Sequence, residues 1–369
     1  MATLPQHDPG ERMTQLDGLR AFAVVAVVVS HWTPDFLIGI VPWGTGVQLF
    51  FVLSGFLITG ILLRSRPEDL GTSLWASLRT FYLRRALRIF PVYYGVLVFS
   101  LLFSVGPIRE SWPWHVSYLS NFYYSHHDHG PAVTDPYLHF WSLAVEEQFY
   151  LVWPLLALTV SRRPLAVAIC LAVVASTVFR VFIDRIDPSL VSIRYLTPSC
   201  LDALAIGALA AHVKHYKGGK ATRRLAWIFA CVGVGGLAVS VLFLSRVLDA
   251  NTGHRIGHTF LVIFYGALVA GAATGFGGPL GRVLVWRPLI YLGTISYGIY
   301  VYHYFAPAAL HWLGNRVPSV ALQSKTAVLA AYTVFTLTLS VASWHLFEAP
   351  LNRLKSRLPY PRPSSGPGS

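Results

Sequence analysis

Long runs of apolar residues, separated by short polar segments, recur along almost the whole chain. The first run, LRAFAVVAVVVSH, begins at Leu19, and each later run is long enough to cross a hydrocarbon layer about 30 Å thick. Their approximate centres are Val28, Val52, Val96, Val152, Val173, Leu204, Gly233, Phe264, Tyr300 and Val334. The pattern predicts an all-α, polytopic membrane bundle of about ten transmembrane helices.

Composition supports a membrane protein and argues against a nucleic-acid-binding one. Hydrophobic residues make up 54% of the chain and charged residues only 12%, whereas an ordinary soluble domain carries about 25% charged residues. The net charge of +13 is not accompanied by a basic patch interleaved with aromatic residues, which nucleic-acid binding would favour. Basic loops beside a lipid bilayer explain the charge better, so the predicted partner is the bilayer and no nucleic acid.

The distribution of positive charge predicts the orientation in the membrane. Most of the 29 lysines and arginines fall in segments that are cytoplasmic if the N-terminus is cytoplasmic, and cytoplasmic loops are enriched in these residues. An even number of helices then places both termini in the cytoplasm. We predict a polar N-terminal segment (1–14), a membrane domain (15–354) and a disordered cytoplasmic tail (355–369), whose end is rich in Pro, Gly and Ser.

An ionisable residue inside a membrane-spanning run indicates function, because its burial is expensive. His31 follows Arg20 by eleven residues, which is roughly 16 Å along a helix. If Arg20 marks the inner headgroup level, His31 lies near the middle of the membrane. A neutral imidazole there can act as a base, or it can simply pack and hydrogen-bond against a neighbouring helix.

A second polar pattern is FYLRRALRIFPVYY, in which Arg85 and Arg88 are three residues apart. This spacing places both on one face of a helix, and arginine binds phosphate through two parallel hydrogen bonds. The positive-inside rule is the alternative explanation, since it requires arginines at this end of a span.

A third pattern is LHFWSLAVEEQFYLVWP, where Glu146 and Glu147 interrupt an apolar run. Adjacent helical residues point about 100° apart, so the two glutamates do not serve one site equally. A carboxylate here can orient an imidazole, order an arginine or form a structural ion pair.

In the stretch FVLSGFLITG, the small residues Ser54, Gly55 and Gly60 favour close helix packing.

The stretch HHDH, from His126 to His129, contains four adjacent potential metal ligands. Adjacent residues rarely converge on one ion with tetrahedral geometry. A solvated surface run therefore explains the stretch better, and no metal site is predicted.

Six motifs in order give the chain a family resemblance. They are LDGLRAFAVVAVVVSH, LFFVLSGFLITGIL, RRALRIFPVYY, HFWSLAVEEQFYLVWP, ISYGIYVYHYF and FEAP. The set resembles the acyltransferase-3 family of bacterial integral-membrane O-acyltransferases, over about 15–354. The resemblance implies a multi-pass protein of the bacterial inner membrane. It also implies transfer of an acyl group, usually acetyl, from cytoplasmic acyl-CoA to a hydroxyl of a cell-envelope saccharide or a secondary metabolite, with no tightly bound cofactor.

The resemblance also assigns site residues. The arginine–ten residues–histidine motif of the family falls on Arg20 and His31, and its paired arginines fall on Arg85 and Arg88. We predict that His31 is the catalytic base and that Glu146 orients it or holds the arginines, which bind acyl-CoA. Supporting or acceptor contacts are predicted at Asp17, Ser54, Trp141, Ser142, Tyr150, Asp202, Tyr297 and His303.

Three points stay open. Family members often carry an arginine before the aspartate of the sixth helix, whereas Asp202 here follows Cys200 in SCLDALAIG, so a charged acceptor contact is expected to be missing. A covalent acyl-histidine is an alternative to general-base catalysis. A polytopic transporter with a proton-linked histidine is the alternative function, although no paired Gly/Pro-broken helices support it.

Overall fold

The helical class is confirmed by a computed structural model, which describes residues 13–33, 45–127, 134–187, 189–190, 192–248, 250–316 and 324–360. Within these ranges all regular structure is helical and there is no strand. The α-helices are α1 (Thr14–Trp32), α2 (Gly46–Arg64), α3 (Pro67–Leu70), α4 (Leu74–Phe103), α5 (Ile108–Val116), α6 (Ser120–His126), α7 (Phe140–Thr159), α8 (Arg162–Ile186), α9 (Thr197–Val239), α10 (Ser245–Val247), α11 (Ala250–Thr274), α12 (Gly278–Leu284), α13 (Arg287–Thr294), α14 (Ser296–Tyr302), α15 (Phe305–Arg316), α16 (Lys325–Ser343) and α17 (Ala349–Arg353).

Six helical segments among the described residues are long and apolar enough to cross a membrane. They are Gly46–Leu70, Leu74–Phe103, Arg162–Ile183, Thr197–Leu244, Asn251–Thr274 and Lys325–Arg357. The chain is therefore a multi-pass helical membrane protein, while the number of ten spans and the cytoplasmic termini remain predictions.

Three of the predicted spans differ in form from simple helices. The runs centred on Leu204 and Gly233 lie in the single element α9, which is interrupted at Gly218, where φ is 77°. Glycine adopts this left-handed conformation without a steric penalty. The run centred on Tyr300 is divided among the short helices α13, α14 and α15.

Helices α2 and α9 pack through glycines at the centre of the bundle. A Cβ atom on Gly55 would lie 2.0 Å from the carbonyl oxygen of Leu204, and one on Gly207 would lie 2.0 Å from that of Val52. Only glycine permits backbones to approach this closely. The predicted packing role is confirmed for Gly55, whereas a Cβ on Gly60 would meet only the Arg64 side chain, at 3.5 Å.

The start of the tail that the sequence assigns to disorder is held against the bundle. Residues Leu354–Arg357 form a 3₁₀ turn, and Arg84 Nη1 donates to the carbonyls of Lys355 at 2.7 Å and Leu358 at 2.8 Å. These charge-assisted hydrogen bonds satisfy carbonyls that the helix end leaves free. Residues 1–12 and 361–369, which carry most of the two predicted terminal segments, lie outside the described residues.

Candidate active site

Helices α1, α2, α4, α7 and α14 surround a cavity with about 680 Å³ of empty space, which we call the first cavity. Eight of the residues predicted from the sequence line it, and they come from five separate helices. They are Arg20, Ser54, Arg85, Arg88, Ser142, Glu146, Tyr150 and Tyr297. Side chains separated by up to 277 positions therefore share one space.

Glu146 lies with the arginines. Its Oε1 accepts a hydrogen bond of 2.5 Å from Ser54 Oγ, which also lies 2.9 Å from the hydroxyl of Tyr150. The guanidinium of Arg85 stacks on the Tyr150 ring, 4.1 Å from its centroid, an arrangement that cation–π attraction favours. Because Glu146 and Tyr150 are four residues apart on α7, they share a face. Of the alternatives open for this carboxylate, the structure places it beside the arginine cluster rather than against His31.

Three guanidiniums meet at this cavity. Arg85 and Arg88 both line it, which confirms that they share a face of α4. Arg20 enters from α1, with its Nη1 3.9 Å from Asp17 Oδ1. Arg84, next to Arg85 in sequence, instead binds the C-terminal segment. Three cations in one partly enclosed space favour an anionic ligand, because an uncompensated charge in an apolar bundle is expensive.

His31 lies outside the lining of the first cavity, within a cluster of three histidines. It is the penultimate residue of α1, so it stands near one end of this helix. Its Nδ1 lies 2.8 Å from Nε2 of His303, and the ring of His139 lies 4.9 Å from that of His303. Tyr304 contacts His31 edge-on at 4.6 Å. The imidazole is therefore held by protein groups rather than turned toward lipid.

The hydrogen bonds assign the proton positions of this cluster in its neutral form. His303 Nδ1 lies 2.6 Å from the carbonyl of Tyr300, and because a carbonyl only accepts, this nitrogen carries the proton. The His303 Nε2 is then an acceptor, so it is His31 Nδ1 that donates across the 2.8 Å contact. His31 consequently keeps its lone pair on Nε2, which is the nitrogen that can act as a base.

Ser142 and Tyr300 lie between the first cavity and the histidines. Both side chains line the cavity, their hydroxyls contact each other, and both hydroxyls lie within hydrogen-bond distance of the His139 carbonyl. Because each hydroxyl has one proton, one of them donates to the other and the other donates to the carbonyl. The Tyr300 ring also lies 5.6 Å from the ring of His303. Tyr300 is a site residue that the sequence analysis missed, although it lies in the quoted motif ISYGIYVYHYF.

Asp202 lies elsewhere, in a buried network between α8, α9 and α11. It is fully buried, and its Oδ2 lies 2.7 Å from Arg180 Nη2, which also donates to Thr259 Oγ1 at 2.6 Å. The arginine that family members often carry before this aspartate is absent here, and Asp202 pairs instead with Arg180 from α8. With no exposed surface, Asp202 is positioned as part of a structural ion pair rather than as an acceptor contact.

Two further predicted residues lie near the cavity. Trp141 packs against Phe51, which lines the cavity, with ring centroids 6.0 Å apart. Asp17 lines a neighbouring space of about 620 Å³, the second cavity. Its lining also includes Arg20, Arg88, Thr294, Tyr297, Trp344, Glu348 and Asn352. Arg20, Arg88 and Tyr297 therefore belong to both cavities.

The histidine-rich stretch HHDH is described only in part. His126 and His127 are exposed at the end of α6, and His127 Nδ1 lies 2.9 Å from the carbonyl of Tyr123. Asp128 and His129 lie outside the described residues, so the prediction for the whole stretch stays a prediction.

Comparison with known proteins identifies the family. The acyltransferase domain model of the acyltransferase-3 family matches residues 13–345. The chain belongs to this family, whose members are acyltransferases.

Curated relatives narrow the comparison to O-acetyltransferases. The chain is 29% identical to a putative peptidoglycan O-acetyltransferase of Bacillus subtilis, over 91% of this chain and 54% of the relative. It is 29% identical to the peptidoglycan O-acetyltransferase of Listeria monocytogenes, over 78% and 48%, and 28% identical to an O-acetyltransferase of Staphylococcus aureus, over 81% and 50%. The chain thus spans about half the length of these relatives. No solved structure matches it.

Proposed function

We propose that this protein is an O-acyltransferase of the bacterial inner membrane that transfers an acetyl group from cytoplasmic acetyl-CoA to a hydroxyl of an envelope saccharide. Family membership supports acyl transfer, and the names of two relatives make peptidoglycan the first acceptor to test. A secondary metabolite is the other acceptor class that the sequence resemblance implies. The family match favours acyl transfer over the transporter alternative.

The observation that carries this proposal is a cavity with three arginines that ends beside a histidine cluster. The pyrophosphate of acyl-CoA binds Arg20, Arg85 and Arg88, since guanidiniums pair with phosphate oxygens in two parallel hydrogen bonds. The pantetheine arm then follows the first cavity toward Ser142 and Tyr300. His31 follows Arg20 by eleven positions along α1, which corresponds to about 16 Å.

Unpartnered polar atoms in this cavity suit the pantetheine arm. Within the described part of the chain, Glu147 Oε1 and Arg85 Nε are buried and have no hydrogen-bond partner, and both residues line the first cavity. Buried polar groups of this kind normally have a partner. The two amides of pantetheine offer both donors and acceptors, so a bound arm would satisfy these atoms.

The histidine pair supplies the proton transfer. His31 Nε2 accepts the proton of the acceptor hydroxyl as its oxygen attacks the thioester carbonyl, and His303 keeps the imidazole in the required tautomer through the 2.8 Å contact. The C–S bond then breaks, the ester forms, and the imidazolium returns the proton to the CoA thiolate. The Ser142–Tyr300 contact must open for the thioester to reach His31.

The tetrahedral intermediate requires hydrogen-bond donors for its oxyanion. Ser54 and Tyr297, two of the supporting contacts predicted from the sequence, donate to Glu146 and to the Ile89 carbonyl, respectively. Ser142 and Tyr300 lie closer to the histidines. Because of this position their hydroxyls are our candidates for these donors, which become free when their contacts with each other and with the His139 carbonyl open.

The test is acetyl transfer from labelled acetyl-CoA to peptidoglycan fragments in membranes that contain the protein. His31→Ala should lower the rate by about 10²- to 10⁴-fold, because it removes the general base. His345→Ala is the matched control, since His345 is an exposed histidine that pairs only with the Tyr291 hydroxyl among the described contacts. Equal labelling by wild type and His31→Ala would refute the assignment, and solute flux independent of acyl-CoA would favour a transporter.

A further inference from the structure

The second cavity is polar, adjoins the first and has no role in the transfer chemistry described above. Its lining combines two arginines with Trp344, Glu348 and Asn352, which follow one another at four-residue intervals along the C-terminal helical segment. Glu348 belongs to the FEAP motif, for which the sequence analysis finds no function. Residues at this spacing share one helical face, so this face forms a wall of the second cavity.

Lys355 adds a cation beside this wall. Its ammonium donates a hydrogen bond to the side-chain oxygen of Asn352, which lines the second cavity. The charges of Arg20, Arg85 and Arg88 act on the same ammonium. Arg84 fixes the Lys355 backbone through its carbonyl. The ammonium therefore belongs to the cationic cluster and lies on the side of the second cavity.

The covalent order of CoA matches the order of these groups. In CoA the pyrophosphate joins the pantetheine arm to a 3′-phosphorylated adenosine, and Arg20 and Arg88 are the cations that line both cavities. If the arm occupies the first cavity, the adenosine must lie on the other side of these arginines. That side is the second cavity.

We propose that the second cavity binds the 3′-phosphoadenosine end of acyl-CoA, with Lys355 on the 3′-phosphate and with Arg20 and Arg88 on the pyrophosphate at the junction of the two cavities. Trp344 offers an aromatic face on which adenine stacks. Glu348 and Asn352 offer acceptors for its exocyclic amine. This inference rests on the proposed use of acyl-CoA. It assigns the nucleotide half of acyl-CoA to residues of the second cavity and to Lys355.

Binding of three ligands to the purified full-length protein in detergent tests the assignment. The ligands are CoA, dephospho-CoA, which lacks the 3′-phosphate, and pantetheine, which lacks the nucleotide; calorimetry measures each affinity. Lys355→Ala should weaken CoA binding by about tenfold, as expected for one lost charge-assisted hydrogen bond. It should leave dephospho-CoA and pantetheine binding unchanged, and Lys355→Arg should restore most of the affinity for CoA.

Arg357→Ala is the matched control, because Arg357 carries the same charge in the same 3₁₀ turn but is exposed. It should leave all three affinities unchanged. An equal loss of CoA and dephospho-CoA affinity in Lys355→Ala would overturn the 3′-phosphate assignment, as would an unaltered affinity for CoA. If the wild type bound neither CoA nor pantetheine, the proposed function itself would fail together with this subsite.

Discussion

Three of the arginines at the two cavities have a compensating neighbour, which lowers the cost of placing the cluster within an apolar bundle. Arg20 has Asp17 at 3.9 Å, Arg85 has the Tyr150 ring, and the charge of Glu348 acts on Arg88. Such pairing offsets much of the desolvation cost while leaving guanidinium hydrogens for a ligand.

Replacing both Arg85 and Arg88 by alanine should raise KM for acetyl-CoA by about 10- to 100-fold, because two charge-assisted contacts to phosphate are lost. The KM for the acceptor should change little. Steady-state kinetics with each substrate varied in turn measures both values.

Arg79→Ala provides the control for this pair, since Arg79 is an exposed arginine on the same helix, α4. It should have wild-type kinetics. An unchanged KM for acetyl-CoA in the double variant would count against phosphate binding by Arg85 and Arg88.

At this scale the sequence is informative where charge interrupts an apolar run. Arg85 and Glu146 are conspicuous for that reason, and the structure brings both to one cavity. Lys355 is not conspicuous, because the positive-inside rule alone explains a lysine that follows a membrane span.

Arg180 shows what the sequence does not reveal. The predicted topology places it in a segment outside the cytoplasm, but it lies within α8 and is only 5% exposed. Its partner Asp202 is 22 residues away, a pairing that needs the tertiary structure.

Among the helices, the contact between α2 and α9 depends on glycine at two positions. Gly55→Ala should destabilise the protein by about 1–3 kcal/mol, because its Cβ would overlap the Leu204 carbonyl and force the helices apart. Gly60→Ala on the same helix should have no such effect, since its Cβ meets only the flexible Arg64 side chain, at 3.5 Å. Thermal unfolding in detergent distinguishes the two, and equal melting temperatures would contradict the packing described here.

The Arg180–Asp202 pair connects α8 to α9 and, through Thr259, to α11. Asp202→Ala should lower the free energy of unfolding by about 3–5 kcal/mol, because a buried guanidinium is left without its partner. Replacing both residues together, as Arg180→Met with Asp202→Leu, should recover part of this loss. Thermal unfolding of the single and double variants measures the coupling. Additive losses would show that the two side chains do not stabilise one another.

Helix boundaries are less predictable than helical character. Apolar periodicity identifies the segments, but it does not reveal that α9 continues to Val239 with a break at Gly218. Nor does it divide the region around Tyr300 into short helices. Both features depend on backbone geometry that neighbouring helices impose, which hydropathy alone does not encode.

For the molecule as a whole, the uneven distribution of Lys and Arg predicts that both termini face the cytoplasm. A green fluorescent protein fused after Ser369 should fluoresce, because it folds in the cytoplasm, and alkaline phosphatase at the same position should be inactive. The reverse pattern would place the arginine cluster on the outer side, where cytoplasmic acyl-CoA does not reach it.

The hydroxyl contact between Ser142 and Tyr300 also bears on the energy supply of the cell. An unbroken line of water, carboxylates and imidazoles through the bundle would conduct hydrogen ions and dissipate the electrochemical gradient across the membrane. The lining of the first cavity includes these two residues, and the imidazoles of His31, His139 and His303 lie outside that lining. A closed contact between the two hydroxyls would interrupt such a line, so the pair that must part for acyl transfer would also limit the leakage of hydrogen ions between turnovers.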